Sequence, residues 1–371
     1  MNKKLHILFL NSWYPSRVLP NNGDFIQRHA EAVSLNHQVT SIHVITDPNL
    51  KESTKIIDKT IHNVRTIIGY IKPTKNLIKK LYLYFKTYLM LYKMAGKINL
   101  VHLNVIYPAG IFALYLKWFK KKPYIISEHW SIYKEIFNVS LHPFIRFLFK
   151  IIGRNSTFIA PVSNDLKNLM IQNGIKGNYY PVPNVVNTNL FKPNNSKPNE
   201  FIIMHASNMA DVKNVPAILN VIKKLELIPF NFTFYLVGEN VNKYHQLIKE
   251  LQLNKIKLIN QLDHSDFSKL INKVSALILF SKSENLPCVI LEAFSCGVPV
   301  ISSNVGGIKE YFPANFGKLI SLDENQLLNA IIEIKDHFNK ASNDEMHNYV
   351  VKHFSYEVVG NQFSILYHKS I

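Results

Sequence analysis

Residues 283–307 read SENLPCVILEAFSCGVPVISSNVGG, and the fold is read outward from this stretch. Pro287 suits the first turn of a helix, where its missing N–H is not needed. Gly297 suits the position just past a helix end, and Pro299 blocks continuation. The spacing predicts a helix of two to three turns between Pro287 and Cys296, with a strand before it and another after it. The amides of Cys288 and Val289 would then point out of the helix N-terminus. With the helix dipole they make an anion site suited to a diphosphate. Glu292 would lie one to two turns further in, among Val289, Ile290, Leu291, Ala293 and Phe294. A carboxylate in such surroundings needs hydrogen-bonding partners, and sugar hydroxyls are good ones. Glycosidase acid/base pairs stand ~5 to 9.5 Å apart. Eight helical steps would separate Glu284 from Glu292 by roughly 12 Å. The two therefore read as binding groups for different parts of one ligand.

Outward from this stretch, strand-length apolar runs alternate with helical patterns twice over. The first set lies near Leu5–Leu10, Thr40–Ile45, Val64–Ile68, Leu100–Leu103, Tyr124–Ser127 and Thr157–Val162. The second lies near Phe201–Ala206, Phe232–Val237, Ile256–Asn260, Ala276–Phe280 and Val298–Ser302. Such alternation implies parallel sheets covered by helices on both faces. The Pro- and Asn-rich stretch at 179–200 reads as a linker. The expected fold class is α/β, with two Rossmann-like doubly wound domains facing across a cleft. They would span residues 1–185 and 186–354, with a C-terminal helix, 355–371, able to pack back on the first. Ligands of such sheets bind beyond the carboxyl ends of the strands.

A chain of 371 residues suits two domains. Cys288 and Cys296 fall in one predicted helix and form no CxxC pair, which argues against a disulfide framework or a zinc site. The apolar run near the N-terminus is too short for a signal peptide core. The long apolar stretch Leu100–Phe119 is broken by His102, Asn104, Pro108 and Gly110, so no spanning helix is expected. The formal net charge is +18. Residues 71–154 hold fifteen Lys and Arg against two acids, Glu128 and Glu135, with Tyr82, Tyr84, Phe85, Trp118, Phe119, Phe144 and Phe147 interleaved. Cations mixed with aromatics favour an anionic membrane surface over nucleic acid as partner. The expected location is cytoplasmic, peripheral on the inner face of the cell membrane.

Glu284, seven residues, then Glu292, followed by Ala293, Gly297, Pro299–Val300 and Gly306–Gly307, resembles the E-x7-E signature of the retaining glycosyltransferases of family 4 (group 1), whose fold is GT-B. The order of the other motifs extends the resemblance over nearly the whole chain. It implies that Glu284 faces the donor sugar, that Cys288 and Val289 offer amides to the diphosphate, and that Glu292 holds the ribose hydroxyls. Lys213, in HASNMADVKNV after the first strand of the second domain, would neutralise phosphate charge. The family often has an arginine five residues earlier, where this chain has Asn208. Gly238, in Val237–Gly238–Glu239, matches the family's Gly-acidic turn.

In the first domain, NSWYPSRVLPNNGDFIQRHAEAV (residues 11–33) resembles the family's glycine-containing loop beside the donor phosphates and the acceptor. Gly23 would allow close backbone approach, and Asp24 is a plausible helix cap and acceptor contact. His129, in ISEHW, matches a histidine that hydrogen-bonds the donor sugar, although a lone histidine is more often structural. Adjacent Glu128 is a second acceptor candidate. Ser163 would cap the helix that follows it. Catalysis would thus rest on His129, Glu284 and Lys213, and donor binding on Gly23, Asn208, Lys213, Gly238, Glu284, Cys288, Val289 and Glu292.

The resemblance implies a metal-independent hexosyltransferase with no cofactor, moving sugar from a nucleoside-diphosphate sugar to a glycan or lipid-linked acceptor in cell-surface polysaccharide biosynthesis. No Asp-x-Asp metal pair is present. A GT-B-like sugar-nucleotide epimerase, or a non-catalytic membrane- or nucleotide-binding protein, are the alternatives. The missing dinucleotide glycine fingerprint disfavours an oxidoreductase.

Overall fold

The computed structural model describes residues 3–134, 142–194, 200–336 and 340–371. Glu135 and residues 195–199 of the expected linker lie outside these. The chain divides into two compact units, Met1–Val185 with Tyr356–Ile371, and Val186–Ser355.

The first unit runs β1 (His6–Asn11), α1 (Asp24–Ser34), β2 (Gln38–Thr46), β3 (Thr54–Ile61), β4 (Val64–Ile71), α2 (Leu77–Ala95), β5 (Leu100–Asn104), α3 (Gly110–Lys120), β6 (Tyr124–Glu128), α4 (Pro143–Asn155), β7 (Ile159–Pro161) and α5 (Asn164–Gln172). Its strand order is β3-β4-β2-β1-β5-β6-β7, parallel except for β3. The second unit runs β8 (Ile202–Ala206), α6 (Val215–Glu226), β9 (Thr233–Gly238), α7 (His245–Glu250), β10 (Ile256–Asn260), α8 (His264–Ile271), β11 (Ala276–Leu279), α9 (Cys288–Ser295), β12 (Val300–Ser303), β13 (Gly317–Ile320), α10 (Glu324–Asp336) and α11 (Asn343–Phe354). Its order is β10-β9-β8-β11-β12-β13, all parallel. The last helix, α12 (Tyr356–Ser370), belongs to the first unit.

Leaving out β3, both sheets wind outward in both directions from their first strand, the arrangement of the dinucleotide-binding fold. The strands are buried end to end in β5, β6, β8 and β11, and β1 in all but its first residue, as parallel strands covered on both faces must be. β3 was not expected. It joins β4 through a two-residue turn at His62 and Asn63, both at positive φ (44° and 65°), the conformation that tight hairpins require. Its Lys55, Asp58 and Lys59 interrupt the apolar pattern, and charged residues are what an edge strand carries.

α12 packs against α1. His102 stands 2.7 Å from the Tyr367 hydroxyl, and Tyr356 donates to Glu31 at 2.8 Å. Phe363 and Tyr367 are fully buried there. Rings of α2 pack on those of α3, with Phe85 5.5 Å from Phe112, and α3 meets α4 where Trp118 donates to Asn155 at 3.3 Å. Ser163 caps α5 by accepting from the Leu166 amide at 3.1 Å, as its place in the sequence predicts.

Candidate functional site

The sheet of the second unit reverses its winding between β8 and β11, and a crevice opens beyond strand ends at such a point. The loops leaving these two strands carry Lys213 and Glu284. After β8, the Ser207 hydroxyl accepts from the Met209 amide at 3.1 Å and the Asn208 side chain from the Ala210 amide at 3.2 Å. These local turns compete with helix formation and fold the loop tightly, with Met209 at φ 57°. A 3-10 turn, Asp211–Lys213, follows before α6. Gly238, at the end of β9, makes room for this loop. A Cβ there would come within 1.8 Å of the Ser207 carbonyl oxygen. Its place is thus beneath the loop that carries Lys213.

After β11, the Lys282 amide donates to the Val212 carbonyl at 2.8 Å and so stitches the two loops together. Lys213 then meets Glu284, Nζ to Oε1 at 2.6 Å, with side chains 18% and 10% exposed. Charges so little solvated interact more strongly than surface ions, so each partner depends on the other for compensation. Asn208 is exposed on the same loop, with its side-chain oxygen engaged in the turn.

α9 begins at Cys288, with Pro287 as N-cap, one residue later than the spacing suggested. Pro287 itself makes no side-chain cap hydrogen bond. Val289 lies in its first turn. At the other end Gly297 takes φ 70°, as expected, and its amide and that of Val298 close back on Phe294 and Ala293 at 2.9 Å each. Glu292 is 5% exposed inside the helix. Burial, reinforced by the Glu292 carboxylate, pushes the Cys296 thiol up to about 12.

The remaining sequence candidates stand in the first unit. Gly23 is the N-cap of α1 at φ 78°, and a Cβ there would lie 2.9 Å from the Trp13 carbonyl carbon. The expectation that Asp24 caps α1 is corrected. It is the first residue of the helix and pairs with Arg28 at 2.8 Å. His129 follows β6, buried, its ring 4.4 Å from Phe25 and 5.3 Å from His29. Burial, with the neighbouring His29 and His102, holds its pKa well below the usual imidazole range, so it is neutral. Glu128 is also corrected as an acceptor contact. It has no exposed surface. Its carboxylate accepts from the amides of Ile106 (3.0 Å), His129 and Trp130 (both 2.9 Å) and from the Tyr133 hydroxyl (3.1 Å). It ties the ends of β5 and β6 together.

One arrangement was not singled out in the sequence. Arg17 donates twice to Asp47, at 2.9 and 2.6 Å, and lies over the Tyr70 ring at 4.1 Å. Arg17 sits inside the quoted segment 11–33, but its partners are distant in sequence. Among the described residues no group of three or more His, Cys, Asp or Glu is placed to hold a metal ion.

A chain of two parallel α/β units with this pair of loops is of the GT-B fold. Sucrose-phosphate synthase of Thermosynechococcus elongatus resembles it with a TM-score of 0.80, at 19% identity over 99% of each chain. Anabaena HepE, solved with UDP and glucose, reaches 0.76 at 18% identity over 98% of this chain and 100% of its own. The chain belongs to the group 1 glycosyltransferases: residues 186–349 match the family described as glycosyl transferases group 1, and residues 28–190 match Glycosyltransferase Family 4. An uncharacterized glycosyltransferase of Methanocaldococcus jannaschii is 26% identical over 331 residues, 86% of this chain and 87% of its own. A phosphatidylinositol N-acetylglucosaminyltransferase subunit of Arabidopsis thaliana is 24% identical over 213 residues, 55% of this chain and 47% of its own. The match thus spans about half the length of that relative. Among the described residues no helix is long and apolar enough to cross a membrane.

Proposed function

We propose that this protein transfers a hexosyl group from a nucleoside-diphosphate sugar to a hydroxyl of a glycan or lipid-linked acceptor, with retention and without a metal. The Lys213–Glu284 pair at the winding reversal, beside the start of α9, carries this reading. The diphosphate lies against Lys213 and the first amides of α9, at Cys288 and Val289. Glu284 meets the sugar, and Glu292 the ribose. As the bond to the anomeric carbon breaks, negative charge grows on the leaving phosphate. A preorganised ammonium and helix amides stabilise that charge. The acceptor hydroxyl attacks from the same face and passes its proton to the leaving group. The first unit holds the acceptor, and there the neutral imidazole of His129 offers a hydrogen-bonding group.

The reading extends to the inner face of a cell membrane and to cell-surface polysaccharide biosynthesis. Its support lies on α2, α3 and α4, where Leu77, Ile78, Leu81, Tyr82, Phe119 and Phe147 are each more than half exposed among the lysines of residues 71–154. Each cation near an anionic leaflet contributes about 1 kcal/mol.

A panel of nucleotide sugars scored by thermal shift, followed by product analysis with a hydroxyl acceptor, tests the function. One donor should raise the melting temperature by linkage and yield a glycosylated product. A rearranged nucleotide sugar formed without an acceptor would point instead to an epimerase.

A further inference from the structure

Beyond the carboxyl ends of β1 and β2, within the first unit, lies a cavity of about 710 Å³. Its lining includes Arg17, Asp47, Asn49, Lys51, Glu52 and Lys55, a net positive set. Both oxygens of Asp47 are engaged inside the wall, one by Arg17 and the other by the Asn49 amide at 2.9 Å. That amide and the Arg17 guanidinium hold the Asp47 carboxyl below the usual carboxylate range. Asp47 therefore acts as an anchor for Arg17. The guanidinium is fixed by two hydrogen bonds and by the Tyr70 ring beneath it. Two of its five N–H groups are taken by Asp47, and its side chain remains 41% exposed. Lys51 and Lys55 also line the cavity and add two point charges, both exposed.

A planar fork together with two ammonium groups suits a tetrahedral anion with several oxygens better than a neutral sugar. The loop that carries Lys51 is tied to the segment leading into α2. The Lys72 amide donates to Ser53 at 3.1 Å, and its ammonium to the Lys51 carbonyl at 3.3 Å. Five residues on, α2 begins with Leu77, Ile78 and Leu81 exposed.

We propose that this cavity is a subsite for a phosphoryl group of the acceptor, held by Arg17, Lys51 and Lys55. The proposal rests on the transferase reading above and adds to it the chemical class of the acceptor. The phosphoryl group belongs either to a lipid headgroup, with its apolar chains along the first turns of α2, or to a soluble phosphate ester.

Glycerol 1-phosphate is the probe, with glycerol as its uncharged counterpart, titrated into the full chain. The wild type should bind the phosphate saturably and ignore glycerol. Arg17→Gln, and separately Lys51→Gln with Lys55→Gln, should each weaken that binding roughly tenfold, the loss expected for charge-assisted hydrogen bonds. Binding of UDP should stay as in the wild type. Displacement of the probe by phosphatidylcholine vesicles containing phosphatidylglycerol, and not by phosphatidylcholine alone, assigns the site to a lipid headgroup. Saturable binding that neither vesicle displaces assigns it to a soluble ester. Equal affinity in the wild type and in both variants, or no saturable binding at all, overturns the proposal. Because UDP is followed in parallel, that failure is separate from a failure of the donor site, which would appear as absent UDP binding in the wild type.

Discussion

The two units share one winding and handle polar groups in opposite ways. The second places an ion pair at its winding reversal, Lys213 against Glu284, and starts α9 behind Pro287, which offers no side-chain cap. The first fills the corresponding region with imidazoles. His29, His43, His102 and His129 are all buried there, against His205 alone among the buried histidines of the second sheet. The first unit also carries the exposed aromatic and basic helices. A common scaffold thus carries an ion pair where loops supply counter-charges and amides, and holds buried imidazoles neutral where helices α1 and α12 close over the sheet.

Acid should separate the two units most strongly. Burial lowers the His29 and His43 pKa from 6.5 to about 4, and those of His102 and His129 fall well below 6.5. His29 and His43 also donate to carbonyls, of Pro183 at 3.2 Å and Asn11 at 2.9 Å, but burial outweighs that support. The native state holds these rings neutral, while the unfolded chain takes up protons below pH 6.5. The unfolding free energy is therefore fully present above 6.5 and falls as pH drops toward about 4. The loss is roughly 1.4 kcal/mol per pH unit for each histidine. Hydrogen exchange across this window should show β1, β5 and β6 losing protection before β8 and β11. Equal losses in both sheets would break the contrast.

The next effect concerns the charged site. Removing either partner of the Lys213–Glu284 pair should cut kcat/KM by about a hundredfold or more, the scale of one lost electrostatic contact to a developing charge. Lys213→Ala and Glu284→Ala each leave a partly buried ion without its counter-charge, so their melting temperatures must be measured alongside. A folded Lys213→Ala protein with unchanged turnover would remove the second unit from the chemistry.

The exposed helices predict a smaller effect. Ile78 and Phe119 are 80% and 70% exposed. Changing each to serine should leave stability within about 0.5 kcal/mol. Both changes should lower affinity for vesicles containing phosphatidylglycerol, each by an amount on the order of tenfold. Added salt should weaken binding further. Vesicle sedimentation is the measurement, and binding unaffected by both salt and substitution would reduce this face to ordinary solvated surface.

What could be read in the sequence was local in its physics. The buried parallel strands announce themselves as apolar runs, Ser163 as a cap and Gly297 as a helix stop, because each depends on neighbours a few residues away. The edge strand β3 stayed hidden because its charged face answers to edge protection and not to a core. Glu128 was misjudged for a different reason. Its four donors come from Ile106, His129, Trp130 and Tyr133, and only the pairing of β5 with β6 brings Ile106 to it. The Arg17–Asp47–Tyr70 assembly is longer in range still and leaves no trace in spacing. Lys213 and Glu284 were singled out separately, each at the end of an expected strand. Their contact follows from strand order, which alternation alone does not determine.

The smallest expected effect tests how helix ends are used in the two units. α5 has the Ser163 hydroxyl on its Leu166 amide, whereas α9 begins behind a proline. Ser163→Ala should cost about 1 kcal/mol of stability and leave donor affinity alone, since that helix end serves only the fold. Pro287→Ser places a capping hydroxyl where the diphosphate is proposed to sit. The hydroxyl stabilises the helix end by a similar amount, but the unfolded chain regains the freedom that proline denied it, by about 0.4 to 1 kcal/mol. The two terms oppose each other, so the melting temperature should barely change while the hydroxyl competes with the ligand for the same amides. Calorimetric titration with UDP should then show severalfold weaker binding to Pro287→Ser and wild-type binding to Ser163→Ala. If both variants bind UDP as the wild type does, the start of α9 is an ordinary helix end and the anion must be held by Lys213 without it.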